Sequence, residues 1–275
     1  TAPPRSELAR VARVVPTCGM RVGITGANGF IGGHLVRHAI GLGCKPIAFV
    51  QRDTPLDAIR DLDGKYELAC GDLLDRGSVD AFVRRCDAVI HLAGINRFWA
   101  HDRDVFWRVN VAGAHQLAEA CLRAGVERLV HVSSCVTLGA SDTPTPRDET
   151  SDYNLSHTFR YGETKRAAEA DMKRLASIRG LPVVIVHPAS AIGARDLGPT
   201  PIGQPIAAIA NGWWPVYVDG GACFIDVRDV ARGLWLALER GRVGEQYLLA
   251  GDNLSNRAFM TLVAECAGVA RPRIR

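Results

Sequence analysis

Residues 22–32 read Val-Gly-Ile-Thr-Gly-Ala-Asn-Gly-Phe-Ile-Gly, a short β-branched run that breaks into Gly26, Gly29 and Gly32 before helix-forming sequence begins. That junction constrains the chain more than any other stretch. A strand entering a helix through a GxxGxxG turn brings backbone amides at the helix N-terminus close to whatever sits above them, and a Cβ at those positions would stand in the way. The group such a junction suits is a pyrophosphate, held by N–H donors and by the positive end of the helix dipole. Taken alone, the turn is equally a tight strand-to-helix connection, so the rest of the chain must decide.

From Met20 onward, β-branched runs alternate with longer helix-like stretches. Strands are expected at 21–25, 46–50, 67–70, 88–92, 129–133 and 183–187, and helices near 31–41, 78–84, 104–124 and 161–179. Gly41, Gly125 and Gly180 close three of these helices, as glycine does where the last residue must turn left-handed. Strand, crossover helix and strand repeated this often predict an α/β fold, a Rossmann-type doubly wound parallel sheet. The texture changes after His187, with Gly and Pro dense over residues 193–221. Residues 20–190 are therefore read as a dinucleotide-binding domain. Residues 191–275 are read mainly as a small carboxyl-terminal substrate lobe, with some segments returning to the Rossmann core. Residues 1–19, with Pro3, Pro4, Pro16 and three arginines, read as a tail.

Composition removes several function classes. Hydrophobic residues make up 47% and charged residues 23% of the 275, which excludes a disordered chain or a coiled coil. The longest apolar run, 181–186, falls far short of the ~18–20 residues that cross a bilayer, so no membrane span is expected. A net charge of +4, scattered along the chain, makes no basic stripe for nucleic acid. The eight cysteines include no CxxC pair, which points to a reduced, cytoplasmic chain. His34 and His38 have an i, i+4 spacing without a third ligand nearby, so no metal is assigned.

Two further features carry chemistry. Tyr161 and Lys165 lie four residues apart, on one face of the expected helix. A neighbouring cation lowers a phenol pKa from about 10 toward working pH, making Tyr161 a usable proton donor and acceptor. Upstream, Ser133 and Ser134 end a strand at the carboxyl edge of the sheet, where hydroxyls face the ligand crevice; a local backbone hydrogen bond is the alternative use for Ser134.

Together, Thr25 through Gly32, Gly71-Asp72-Leu73, His91-Leu92-Ala93-Gly94, Asn110-Val111-Ala112-Gly113, Ser133-Ser134 with Gly139, Tyr161 with Lys165, His187-Pro188 leading to Gly193, and Phe224 through Val230 resemble the extended short-chain dehydrogenase/reductase family, of the NAD-dependent epimerase/dehydratase type. Order and spacing match from Met20 to the end. Residues 179–188 and 199–203 resemble its dihydroflavonol-reductase-like branch, which includes bacterial proteins called hopanoid-associated sugar epimerases. The resemblance implies that Ser134 polarises a substrate carbonyl, Tyr161 transfers the proton, and Lys165 binds the nicotinamide ribose while lowering the Tyr161 pKa. It makes Gly26, Asn28, Gly29, Phe30, Ile31 and Gly32 the cofactor turn. Asp72 and Leu73 meet the adenine, Ala93 and Gly94 the cofactor backbone, and Pro188 through Ile192 the nicotinamide face; Asn110 braces the sheet. Ser134-Cys135-Val136 lacks the Thr-Asp-Glu triplet of sugar-nucleotide 4,6-dehydratases, so dehydration is not expected. Relatives continue for some tens of residues past Arg275, so part of the substrate lobe is expected to be missing.

At the end of the second strand, an acidic side chain hydrogen-bonds a ribose 2′-hydroxyl, whereas an arginine accepts a 2′-phosphate. Here Arg52 precedes Asp53, so NADP(H) is preferred over NAD(H). The function expected is reversible hydride transfer between nicotinamide and a secondary alcohol or ketone. The alternatives are a sugar or nucleotide-sugar epimerase working by transient oxidation, and a non-catalytic NAD(P)-sensing protein. The partner is a small-molecule carbonyl or alcohol, and a homodimer is left open. Phe98, Trp99, Phe106 and Trp107, with Trp213 and Trp214, read first as core packing, as aromatics at helical spacing do, and second as walls for an apolar substrate, where Tyr217 would join them. Arg195 is the lone candidate to meet a nucleotide-sugar pyrophosphate, which ranks an apolar or small carbonyl first. Arg228 and Arg232 read as a solvated helix face.

Overall fold

In the computed structural model, residues 19–97, 102, 104–143 and 145–272 are described. Phe98, Trp99 and all of the tail but Gly19 lie outside them. Seven parallel strands form the main sheet, in chain order β1 (Val22–Thr25), β2 (Ile47–Val50), β3 (Glu67–Cys70), β4 (Ala88–His91), β5 (Arg128–Val132), β6 (Val183–Pro188) and a strand met later, β9 (Gln246–Leu249). Their spatial order is β3-β2-β1-β4-β5-β6-β9. The winding reverses between β1 and β4, which opens a crevice beyond their carboxyl ends.

Every residue of β1, β2, β4, β5 and β6 is buried. Both faces of the sheet are covered, which is why these strands read as continuous apolar runs rather than as alternating ones. On one face, Val130, Val132, Val184 and Val186 pack against α1 (Phe30–Gly41) and α6 (Val227–Arg240), through Leu35, Val36, Leu234 and Trp235. On the other, Leu129, Val183 and Ile185 meet α2 (Arg76–Val83), α3 (Ala114–Ala124) and α4 (Arg160–Arg179), through Phe82, Leu117 and Met172. Successive strand residues thus serve opposite cores.

Gly125 and Gly180 end α3 and α4 with φ of 69° and 70°, as expected. In α1 the left-handed residue is Gly43, at φ 82°, rather than Gly41, which remains helical. The helix expected over 104–124 is divided: Trp107–Gly113 is π-helical, and regular α-helix begins only at Ala114.

β9 lies outside the six strands expected from the sequence. It pairs with β6 in the register Ile185↔Gln246, and its sequence, Gln-Tyr-Leu-Leu, has no β-branched residue to announce it. The chain beyond His187 also builds a second sheet of three strands, in the order β10-β8-β7: β7 (Ser190–Ile192), β8 (Gly221–Asp226) and β10 (Asp252–Ser255). Short helices α5 (Gly203–Ala210) and α7 (Asn256–Ala267) accompany it. Among the described residues no helix is long and apolar enough to cross a membrane.

Candidate active site

The turn after β1 is folded on itself. Gly26, at φ 67°, donates its N–H to Phe49 O, and its carbonyl accepts from Gly29 N at 3.0 Å. A Cβ on Gly32 would lie 2.1 Å from that same Gly26 carbonyl oxygen, and one on Gly26 would lie 2.9 Å from the Ala93 backbone. The obstruction is therefore the protein itself: only glycine lets α1 start so close to β1 and β4. Gly29, at the N-cap of α1, supplies no side-chain cap. The first-turn amides of α1 thus keep the donors and the dipole end that suit an anion.

Behind the turn, Thr25 Oγ1 accepts from Leu92 N at 3.2 Å and Ala93 N at 3.1 Å. Its own proton then goes to His91 Nδ1, 2.8 Å away, leaving His91 with its proton on Nε2. Asn110, on the π-helical turn, accepts from Ile95 N at 2.7 Å and donates to Thr164 Oγ1 at 3.1 Å, joining the loop after β4 to α4.

A cavity of about 310 Å³ opens beyond the strand ends. Gly26, Gly29, Phe30, Ile31, Gly32, Gly94, Ser134, Tyr161, Lys165 and Pro188 all line it, so the glycine turn and the Ser-Tyr-Lys set face one space. Ser134 is placed by the end of β5 and caps the short turn Cys135–Leu138, accepting from Val136 N at 3.4 Å. Tyr161 and Lys165 come from the first turns of α4.

Burial dominates the electrostatics of this pair. Burial pushes the Tyr161 phenol up to about 12, and a hydrogen bond with Ser134 opposes this in part. Lys165 Nζ donates to Val132 O at 2.7 Å. Burial also draws Lys165 itself down to about 8. Tyr161 therefore holds its proton firmly in this state, as a donor rather than as a phenolate.

Other expected residues stand outside the lining. Asn28 donates to Thr54 Oγ1 at 3.0 Å and to Pro55 O at 2.9 Å, bracing the loop after β2. Arg52 and Asp53 are exposed in that loop, Asp53 at φ 58°. Asp72 accepts from Leu74 N, and Leu73 is buried in the core, its carbonyl held by Gln116. Ala93 stays behind the turn, and Ile192 pairs with Asp226.

The expected aromatics divide between core and surface. Phe106 is 2% exposed and packed inside, while Trp107 lines a different groove with Arg108 and His115. Trp213 is 77% exposed. Neither Trp214 nor Tyr217 lines the cavity, and the Tyr217 ring lies under Arg257. Phe159 joins Phe30 and Tyr161 as an aromatic of the lining, beside Asn96, Cys135, Thr200, Pro201 and Ile202. Phe159 stands two residues before Tyr161, and that proximity was the available signal. Arg195, at φ 66°, turns to Asp61 at 3.4 Å instead of the cavity. Arg228 and Arg232 pair locally with Asp226 and Asp229 on the exposed face of α6. His34 bonds Ala194 O, His38 edges Trp235, and no group of three metal-ligating side chains occurs among the described residues.

Comparison with known proteins agrees with this geometry. The model of the NAD dependent epimerase/dehydratase family matches residues 22–250. A Synechocystis protein provisionally named as a dihydroflavonol 4-reductase is 31% identical over 91% of this chain and 73% of its own length. Sterol demethylase protein B of Methylococcus capsulatus is 33% identical over 91% of this chain and 76% of its own. The crystal structure of DesIV, a dTDP-glucose 4,6-dehydratase from Streptomyces venezuelae with NAD and TYD bound, superposes with a TM-score of 0.82 at 26% identity, covering 93% of this chain and 84% of that one.

Proposed function

Because the chain belongs to the NAD-dependent epimerase/dehydratase family, we propose that it transfers hydride reversibly between a nicotinamide dinucleotide and a secondary alcohol or ketone. One observation carries the reading: Ser134, Tyr161 and Lys165 line the same cavity as Gly26, Gly29 and Gly32. The uncapped amides at the start of α1 suit the pyrophosphate, and Lys165 suits a ribose hydroxyl. The cofactor, when bound, supplies the hydride donor or acceptor. In reduction, Ser134 donates a hydrogen bond to the substrate carbonyl oxygen and Tyr161 gives it the phenolic proton. A Lys165 ammonium held in the same site would favour release of that proton. In oxidation the same proton returns from the alcohol to Tyr161.

The lining also supports a substrate class. Phe30, Ile31, Leu92, Ile95, Phe159 and Ile202 make it largely apolar, and Lys165 is its sole basic residue among those described. A nucleotide-sugar needs cations for its diphosphate, and Arg195 is occupied with Asp61. An apolar ketone or alcohol is the better match, in keeping with the names of the Synechocystis and Methylococcus relatives. NADP(H) is proposed over NAD(H) on the exposed position of Arg52 after β2. Turnover of NADPH against apolar ketones, beside UDP-sugars, tests both readings. Stereocentre scrambling without net cofactor oxidation would assign an epimerase instead. Tight cofactor binding with neither outcome would leave a sensor.

A further inference from the structure

α4 holds the end of β5 at two successive residues. Lys165 Nζ donates to Val132 O at 2.7 Å, and one helical turn later Glu169 Oε2 accepts from Ser133 Oγ at 2.9 Å. Ser134, the next residue, is the one presented to the cavity. Tyr161, Lys165, Glu169 and Lys173 form a single i, i+4 stripe along α4. The stripe runs from the cavity lining to the half-exposed Lys173, whose Nζ donates to Glu169 Oε1 at 2.6 Å.

Glu169 is only 7% exposed. A buried carboxylate is costly unless its oxygens are bonded and its charge is answered. Here Ser133 and Lys173 bond it, and the fully buried His187 places Nδ1 3.7 Å from Oε2. Gln246 commits its amide nitrogen to Glu149 O and turns its oxygen toward His187 Nε2, so that nitrogen carries a proton. His187 Nδ1 also lies 3.0 Å from Thr137 Oγ1 and 3.3 Å from Ser134 O. The network below Glu169 therefore reaches both residues of the Ser133-Ser134 pair.

We propose that Glu169 is a positioning residue of this site: its buried carboxylate fixes the end of β5, and with it Ser134, against the face of α4 that carries Tyr161 and Lys165. Its negative charge, one turn from Lys165, favours the ammonium form. The role of Ser134, Tyr161 and Lys165 in this statement rests on the function proposed above. Burial is what draws Lys165 down, and Glu169 pulls the other way. The remaining titratable groups around Lys165 are His91 on β4 and His131 on β5, both kept neutral by burial, and Tyr161 on α4, which keeps its proton. Among these groups Glu169 carries the only negative charge.

The chain has four lysines, at positions 45, 65, 165 and 173. A lysine-labelled NMR titration of the whole protein, without cofactor, follows each ammonium directly, and Lys165→Arg assigns its signal. Glu169→Gln should lower the Lys165 midpoint by about 1 unit, as loss of a nearby opposite charge does. Lys173→Met, which keeps Glu169 and alters a half-exposed side chain, should raise it. Shifts of opposite sign are not what loosened packing alone produces. A Lys165 midpoint unmoved in both variants overturns the proposal; should Glu169→Gln fail to fold, an unmoved midpoint in Lys173→Met does the same. NADPH affinity is measured alongside, and Glu169→Asp should recover part of what Glu169→Gln loses. Wild-type protein that binds neither NAD(H) nor NADP(H) refutes the function proposed above, while the lysine titration still decides the role of Glu169.

Discussion

Replacing Gly32 with alanine puts a methyl group where the turn has already placed a carbonyl. The new Cβ would sit 2.1 Å from Gly26 O and 2.9 Å from both Gly26 C and Ala27 Cα, so relief to 3.0 Å from that oxygen requires about 0.9 Å of movement. Neither side can yield cheaply. The carbonyl belongs to a turn hydrogen-bonded to Phe49 and Gly29, and α1 is tied to the core by Leu35, Val36 and Ala39, each 0% exposed. Overpacking of this kind costs roughly 1–3 kcal/mol, and backbone against backbone belongs at the upper end. At about 2–4 °C per kcal/mol for a chain of this size, Gly32→Ala should melt roughly 6–12 °C below wild type. Moving the first-turn amides by that distance also spoils charge-assisted hydrogen bonds of about 1.5–3 kcal/mol each, so nicotinamide dinucleotide affinity should fall by ~100-fold or more. Gly43→Ala is the control. Gly43 has φ 82° but nothing within 4 Å of its added Cβ, so only the left-handed backbone penalty of about 1–2 kcal/mol applies, with affinity unchanged. Differential scanning calorimetry and isothermal titration with NADH and NADPH measure both quantities. A Gly32→Ala protein that binds as tightly as wild type, or melts with it, refutes the reasoning.

Tyr161→Phe should lower kcat by about 10² or more while leaving cofactor affinity nearly intact, measured by NADPH oxidation against a panel of apolar ketones; an unchanged kcat removes Tyr161 from the proton step. Arg52→Ala should weaken NADPH and leave NADH unaffected in paired titrations, and equal losses for both would withdraw the 2′-phosphate role. Lys165, drawn down to about 8 from 10.5, binds fewer protons folded than unfolded between those values, so its contribution to stability rises as pH climbs through that window. Urea unfolding of wild type and Lys165→Met at about pH 8 and 10 should show wild type gaining relative to the variant, and parallel curves would contradict this. Asp75 accepts from Gly77 N and Ser78 N at the start of α2, and Asp75→Ala should cost ~1 kcal/mol in the same assay without touching cofactor binding.

The elements legible in the sequence are those whose cause is local. β1, β2, β4, β5 and β6 are covered on both faces, which favours mainly apolar runs rich in Val and Ile, and such runs stand out even where Arg128 or a histidine interrupts them. Gly26 and Gly32 announce their turn because a left-handed φ at Gly26 and the Gly26 carbonyl facing Gly32 exclude a Cβ at both. Tyr161 and Lys165 share a face because helical spacing alone puts them there. What tertiary structure decided depends on partners far away in the chain. β9 is a strand because β6 offers it an edge, although Gln-Tyr-Leu-Leu carries no strand signature. Arg195, a candidate for a ligand's charge by sequence, is paired with Asp61, and Trp213 and Trp214 do not line the cavity. Phe159 and the residues 200–202 became lining only when loops from separate halves met. Spacing put a cation within reach of the Tyr161 phenol, but folding sent Lys165 to Val132 O and left burial to set the proton affinity. Periodicity along a chain records which side chains share a face; which charges meet, and how dry their surroundings are, follows from distances that exist only once the sheet and helices have packed.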